Sequence, residues 1–299
     1  MTYEEAIEIL LKAKKLTARQ SEQINGLANA YMDSRRHLHR DREKALTLFR
    51  MAAEKGCMIA EYNLGYCYEH GEGVEQDYSI AVDWYLKSAN HGYDYAMNNL
   101  AIQYEWGQGV DKDYKKAAYW LKRAVRKGNS LSKRNLAFLY VDGLGVRKSL
   151  PMAKKLMTEA AEEGDARAQG ILASNYYTGE WKTEKSLEKE IYWAEKAAKG
   201  GDDYSQNVMG YYYLEGIGVE QDKEKAVFYF MRAVRKQNET AAFNLGECYK
   251  KGNGVGKNLK ESLRWYRLAK RWIISLDYDE IEKEIKELKE MIKAENQKF

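Results

Sequence analysis

Apolar residues in this chain recur three and four positions apart in short runs, and the runs come in pairs. Ala60, Leu64, Gly65 and Tyr68 share one face of a helix, and Ala81, Trp84, Ser88 and Ala89 share a face of another. Residues 60–92 therefore predict two helices joined by the loop Gly71-Glu72-Gly73-Val74. The unit then repeats: Tyr68, Tyr104, Tyr140, Tyr176, Tyr213 and Tyr249 stand at separations of 36, 36, 36, 37 and 36 residues. A fixed period of this length marks a tandem array of stacked helix pairs, in which each unit touches only its neighbours.

The apolar pair ahead of each tyrosine recurs as Leu64/Gly65, Leu100/Ala101, Leu136/Ala137, Leu172/Ala173, Met209/Gly210 and Leu245/Gly246. Its second member is always Gly or Ala, as tight helix contact requires. Gly71, Gly107, Gly143, Gly179, Gly216 and Gly252 follow their tyrosines by three residues, the place of a left-handed cap that ends the first helix. Val74, Val110, Val146, Val219 and Val255 then plug the turn. In the second helix Leu48, Trp84, Trp120, Leu156, Trp193, Tyr229 and Trp265 occupy one core position. Four residues on, Ala52, Ser88, Ala124, Ala160, Ala197, Ala233 and Ala269 are small enough for helices to nest.

Composition adds that the fold is all-α, since proline occurs once, at Pro151, and good helix formers dominate. The 49 basic residues exceed the 45 acidic ones by only four, spread along the chain, which disfavours a nucleic-acid partner. Met1-Thr2-Tyr3-Glu4-Glu5 is acidic where a secretory signal is basic, and no apolar run approaches the roughly 18 residues that span a bilayer. Cys57, Cys67 and Cys248 are odd in number and spaced too far apart to bridge, so reduced thiols, a cytoplasmic setting and no membrane partner are expected.

Chemistry is sparse. The four histidines, His37, His39, His70 and His91, have no ligand or nucleophile at motif spacing, and His37 and His39 share the basic loop of the first repeat. Ser130-Leu131-Ser132-Lys133 contains Ser-x-x-Lys without the companion motifs of the enzymes that use it. No catalytic residue, cofactor or metal is expected.

The signature Ala-x3-Leu-Gly-x2-Tyr-x2-Gly-x-Gly-Val, then Asp, then Lys-Ala-x2-Trp, read across residues 60–84 and their copies, resembles the Sel-one-like repeat family, relatives of the tetratricopeptide repeats. The resemblance implies a right-handed α-solenoid of seven repeats over residues 23–273, between an N-terminal capping helix in 1–22 and an amphipathic helix in 274–299. The first repeat departs from it with Ser34-Arg35-Arg36-His37, and the fifth with Gly179-Glu180-Trp181-Lys182. At the ends, Thr2 and Glu5 form a capping-box pattern ahead of Ala6, Ile9 and Ala13. Ile281, Ile285, Leu288 and Ile292 make a stripe that either covers the last repeat, leaving a monomer, or dimerises.

The resemblance also implies a non-catalytic adaptor that binds a protein or peptide on a concave face lined by first helices. Asn63, Asn99, Asn135 and Asn244, with Ile171 and Val208 at the same position, are expected to look into that face. Carboxamides about one repeat apart suit the backbone of an extended peptide, or else bond a neighbouring helix. Around them lie Tyr62, Tyr66, Asn98, Ile102, Trp106, Arg134, Phe138, Tyr177, Asn207, Tyr211 and Phe243, aromatics with polar anchors of the kind that dominate protein contacts. Tyr66, Asn99, Arg134 and Phe138 form the expected centre. A subunit active only in a complex and a structural spacer are the alternatives.

Overall fold

The structure is a computed structural model that describes residues 1–33, 41–272 and 278–296. The atypical loop of the first repeat, Ser34 to His37, and His39 after it lie outside the described residues. Among those residues the chain forms sixteen α-helices, one short 3₁₀ turn and no strand. They fall into two compact units, residues 1–156 and 157–299.

The first unit contains α1 (Tyr3–Lys12), α2 (Ala18–Met32), α3 (Arg42–Glu54), α4 (Met58–His70), α5 (Tyr78–Asn90), α6 (Asp94–Trp106), α7 (Tyr114–Val125) and α8 (Ser130–Asp142). Helix α9 (Leu150–Glu162) carries residues of both units. The second unit continues with α10 (Ala166–Thr178), α11 (Leu187–Gly200), α12 (Asp203–Glu215), α13 (Lys223–Val234), α14 (Glu239–Lys251), α15 (Leu259–Trp272) and α16 (Tyr278–Asn296). Even-numbered helices from α2 to α14 are the first helices of the repeats, and each odd-numbered helix that follows is the second. Helix α1 packs on α3, and from α2 on a helix within each unit packs on its successor along the chain, so the array is built from nearest neighbours.

Local chemistry sets the helix ends. Asp77, Asp113 and Asp222 accept from backbone N–H groups of the first turns of α5, α7 and α13. All six glycines that follow the signature tyrosines are left-handed C-caps or open the left-handed turn after their helix. The tyrosines close the loops through their backbones: the carbonyls of Tyr68, Tyr104 and Tyr213 accept from the N–H groups of Asp77, Asp113 and Asp222 at 2.9, 2.8 and 2.8 Å. One bond thus ties the last turn of a first helix to the cap of the second.

In three loops the second glycine, Gly109, Gly145 or Gly254, answers to a different constraint. Gly145 has φ of 66°, and a Cβ there would lie 2.0 Å from the carbonyl oxygen of Tyr114. The loop of one repeat therefore rests on the backbone at the start of the preceding second helix, with no room for a side chain.

The second-helix positions form the core. Ala52, Ser88, Ala124, Ala160, Ala197, Ala233 and Ala269 are all fully buried, and Trp120, Trp193 and Trp265 are buried beside them. Trp84 is only partly buried, with the Lys87 ammonium 4.0 Å from its ring centroid. At the N-terminus the Thr2/Glu5 capping box forms, but α1 ends at Lys12 and buries Ala6 and Leu10, so Ala13 caps the helix and Ile9 is half-buried. At the other end Ile281, Ile285 and Leu288 are buried where α16 packs on α15, and Lys250 of α14 pairs with Glu284 of α16.

Gly145→Ala is expected to cost about 2–4 kcal/mol, from left-handed strain plus overlap with the Tyr114 carbonyl. Gly56→Ala, at a φ of 72° but with nothing within 4 Å of the added carbon, is expected to cost only about 1 kcal/mol. Chemical denaturation of the two variants measures the difference, and equal midpoints would contradict the close-approach role.

Candidate partner-binding surface

The asparagines of the first helices bond along the array. Asn63 donates its carboxamide N–H to Asn25 Oδ1 at 3.2 Å, Asn135 to Asn98 Oδ1 at 2.9 Å, and Asn244 to Asn207 Oδ1 at 2.9 Å. Each pair joins a residue just before a Leu-Gly or Leu-Ala pair to the residue one position earlier in the preceding repeat. Asn98 Oδ1 also accepts from the Ser132 hydroxyl at 3.1 Å. Asn98 and Asn207, 5% and 9% exposed, are thereby buried in the stack. Asn99 instead donates to the Tyr85 hydroxyl at 3.2 Å, which in turn donates to the Glu69 carboxylate, while Gln103 reaches the other Glu69 oxygen at 2.7 Å. Of the two readings open for these asparagines, the inter-helix bond is the one their geometry makes. Val208 follows a repeat in which Gly170 offers no side-chain acceptor at the position of Asn98 and Asn207.

The aromatic candidates divide. In the first unit Tyr66, Trp106 and Phe138 are exposed, Trp106 at 68%. Tyr66 stacks on His70 at 4.0 Å between centroids. Tyr62 is half-buried among Tyr85, Tyr93 and Tyr95, and burial raises the pKa of its hydroxyl. Ile102 and Arg134 are half-buried. In the second unit Tyr177, at 64%, and Tyr211 are exposed, whereas Phe243 is half-buried edge-on to Tyr266 at 5.1 Å. Tyr66, Phe138 and Tyr211 share one repeat position, so their exposure is a property of the first-helix face in both units.

Other exposed aromatics were not marked by the first-helix pattern. Tyr95 and Tyr204 open the exposed side of α6 and α12. Tyr119, Tyr192 and Phe228 each precede a core ring and meet Trp120, Trp193 and Tyr229 edge-on at 5.2, 5.0 and 5.5 Å. A cation four residues on, Arg123, Lys196 or Arg232, lies 5.8, 4.5 or 5.7 Å from the exposed ring. The signal for these was the residue before the core tryptophan, which reads as surface by helical period.

The most unusual side chain is Glu190 on α11. It is 5% exposed and accepts a hydrogen bond from the Tyr212 hydroxyl of α12. Burial pushes its carboxyl above the ordinary carboxylate range, and the Tyr212 bond offsets part of that rise. It lines a cavity of about 900 Å³ set among α10, α11 and α12 and the start of α14. Burial also raises the thiols of Cys67 and Cys248, to about 12 and about 11, so both are neutral thiols near neutrality. Among the described residues no cluster of three or more His, Cys, Asp or Glu could hold a metal, and no helix is long and apolar enough to cross a membrane.

Asn207→Leu leaves the Asn244 donor without its acceptor and is expected to lower stability by about 1–2 kcal/mol. Asn207→Leu with Asn244→Leu is expected to recover most of that loss, a coupling that denaturant midpoints of the double-mutant cycle measure directly. For Glu190, a carboxyl raised in the folded state binds its proton more tightly there than in the unfolded chain. Its ionised form therefore weakens the fold at neutral pH, and this penalty fades as pH falls below the ordinary carboxylate range. Glu190→Gln should raise stability at neutral pH by about 1 kcal/mol, with a smaller gain in acid. Thermal melts across pH test this, and a gain that grows on acidification would reverse the assignment.

The Sel1 repeat family model matches residues 24–57, 59–93, 94–129, 130–165, 166–202, 203–238 and 240–271. Among solved structures the chain is similar to c5321, a protective antigen present in uropathogenic Escherichia coli strains displaying an SLR fold. That match has a TM-score of 0.69 and 30% identity, and covers 91% of this chain and 56% of that one. The chain thus spans little more than half the length of that relative. A Sel1 repeat protein from Oxalobacter formigenes matches with a TM-score of 0.72 and 26% identity, over 90% of this chain and 76% of that one. No curated protein matches the sequence.

Proposed function

The chain belongs to the Sel1 repeat family, whose members are generally protein–protein interaction scaffolds, and from that membership we propose that it is a non-catalytic adaptor. It receives an extended segment of a partner protein along the surface of its first helices, and α1 and α16 cap the two ends of the array. The observation that carries this reading is the recurrence of exposed aromatic rings at one first-helix position, Tyr66, Phe138 and Tyr211, beside Trp106 and Tyr177. Large rigid rings left in water cost free energy that contact with a partner recovers, and tyrosine and tryptophan are the residues that most often dominate protein interfaces.

The asparagines support the surface from behind. Their bonds tie α2 to α4, α6 to α8 and α12 to α14, and so hold those first helices in register. The first-helix surface then reads a chain by pockets and rings rather than by a ladder of backbone bonds.

Selection of an unstructured peptide library on the purified chain tests the proposal. Bound peptides are expected to lose about tenfold in affinity or more, roughly 1.4 kcal/mol, when Tyr66→Ala and Phe138→Ala are combined, with the helical circular dichroism unchanged. Full affinity in that variant together with loss in Tyr119→Ala would move the site to the second-helix face.

A further inference from the structure

The fifth repeat is hollowed at the positions where the other repeats are filled. At the ring position of the second helix, where Phe49, Tyr85, Leu121, Met157, Phe230 and Tyr266 stand, it carries Ala194. At the exposed first-helix position of Tyr66, Ile102, Phe138 and Tyr211 it carries Ser174. Where the second helices of the other repeats hold Ala45, Ala81, Ala117, Ala153, Ala226 or Ser262, it holds Glu190. Bulk has been removed at two positions and a carboxylate introduced at a third, and the cavity of about 900 Å³ described above is lined by all three.

The floor of the cavity is apolar, with Ala173 facing the space beside Ala194. Its walls are aromatic: Tyr177, Tyr204, Tyr211 and Tyr212 all line it, and burial, together with the bond to Glu190, raises the pKa of the Tyr212 hydroxyl. Tyr177, Tyr204 and Tyr211 are exposed, so the cavity is reached from solvent on the first-helix side. Glu190 receives one hydrogen bond, from Tyr212, and has no ion-pair partner among the described residues. The one cation among the lining residues is Lys185, which is exposed.

A buried carboxylate without a counter-ion is costly, and tyrosine faces present negative charge. Both conditions are met by one kind of guest, a cation on an aliphatic stem: the head faces the carboxylate and the rings, and the stem covers the alanine floor. We propose that the cavity of the fifth repeat receives an arginine or lysine side chain presented by an extended peptide. The inference rests on the reading that the first-helix face takes a peptide, and it names the chemistry of one anchor of that peptide. A planar guanidinium suits the walls especially, because it stacks on aromatic faces while donating to a carboxylate.

The test is an NMR titration of the full chain with acetyl-Gly-Arg-Gly-amide, its citrulline analogue and free N-acetyl-arginine amide. The arginine peptide is expected to bind saturably, about tenfold or more tighter than the neutral but isosteric citrulline peptide and tighter than the free amide. Glu190→Gln should abolish the preference for arginine over citrulline while melting no lower than the parent. Ala194→Phe, which restores the bulk of the other repeats, should block the site. Equal binding of arginine and citrulline peptides, discrimination retained in Glu190→Gln, or no binding to the parent chain would each overturn the proposal. Free amide binding as tightly as peptide would reassign the cavity to a small organic cation and overturn the peptide occupant.

The wider adaptor reading fails separately. A chain that takes the arginine peptide yet selects nothing from a peptide library keeps the cavity and loses the adaptor. Selection of peptides without basic residues that still depend on Tyr66 and Phe138 keeps the adaptor and loses the cavity.

Discussion

In the second, sixth and seventh repeats the first helix crosses its second so closely that a ring on one leaves no space for a Cβ on the other. A Cβ on Gly65 would come within 2.6 Å of the Tyr85 ring, one on Gly210 within 2.6 Å of Phe230, and one on Gly246 within 3.0 Å of Tyr266. The repeat with Ala101 carries Leu121 at the ring's position, a narrower side chain that leaves room for a methyl. This crossing brings the helices close enough for the buried alanine column behind it to nest. Gly109, Gly145 and Gly254 lie as closely against the backbone of the preceding repeat.

Apolar nesting by itself leaves register under-determined, since a helix that slides along its neighbour exchanges one apolar contact for another. The paired carboxamides remove that freedom. A typical hydrogen bond adds only about 1 kcal/mol, but breaking one inside the stack leaves a buried donor or acceptor unsatisfied at a cost of about 1–3 kcal/mol. Asn25, Asn98 and Asn207 are buried and each accepts from the repeat that follows, so displaced registers are penalised more than the native one is favoured. The Asn135–Asn98 bond also ties together α6 and α8, which carry the exposed Trp106 and Phe138.

The fifth repeat departs from its neighbours at two second-helix positions. Ala194 gives up the ring, and Glu190 replaces a small residue with a charge held away from water. Each change weakens the local core, and a cavity lined by small residues and tyrosines results. Local loss of stability where neighbouring repeats are well packed is the pattern expected when a site is shaped for a ligand. In a nearest-neighbour array such a defect is tolerated because the repeats on either side keep their own interfaces.

The helical class, the number of repeats, the capping glycines and the buried alanine column were legible in the sequence, because each follows from spacing along one helix or from backbone conformations that one residue type favours. The family could be recognised for the same reason. The role of the asparagines was not legible: helical period places Asn98 and Asn207 among inward positions, and only the neighbouring repeat shows that Asn135 and Asn244 cover them. The second loop glycine was likewise silent until the backbone it touches was in place. Glu190 stood in the sequence as one more charge in a helix, while its burial, its Tyr212 partner and the space left by Ala194 are properties of three helices together. Periodicity is a local property that sequence carries in full, whereas burial and pairing between repeats depend on distances that only the packed structure sets.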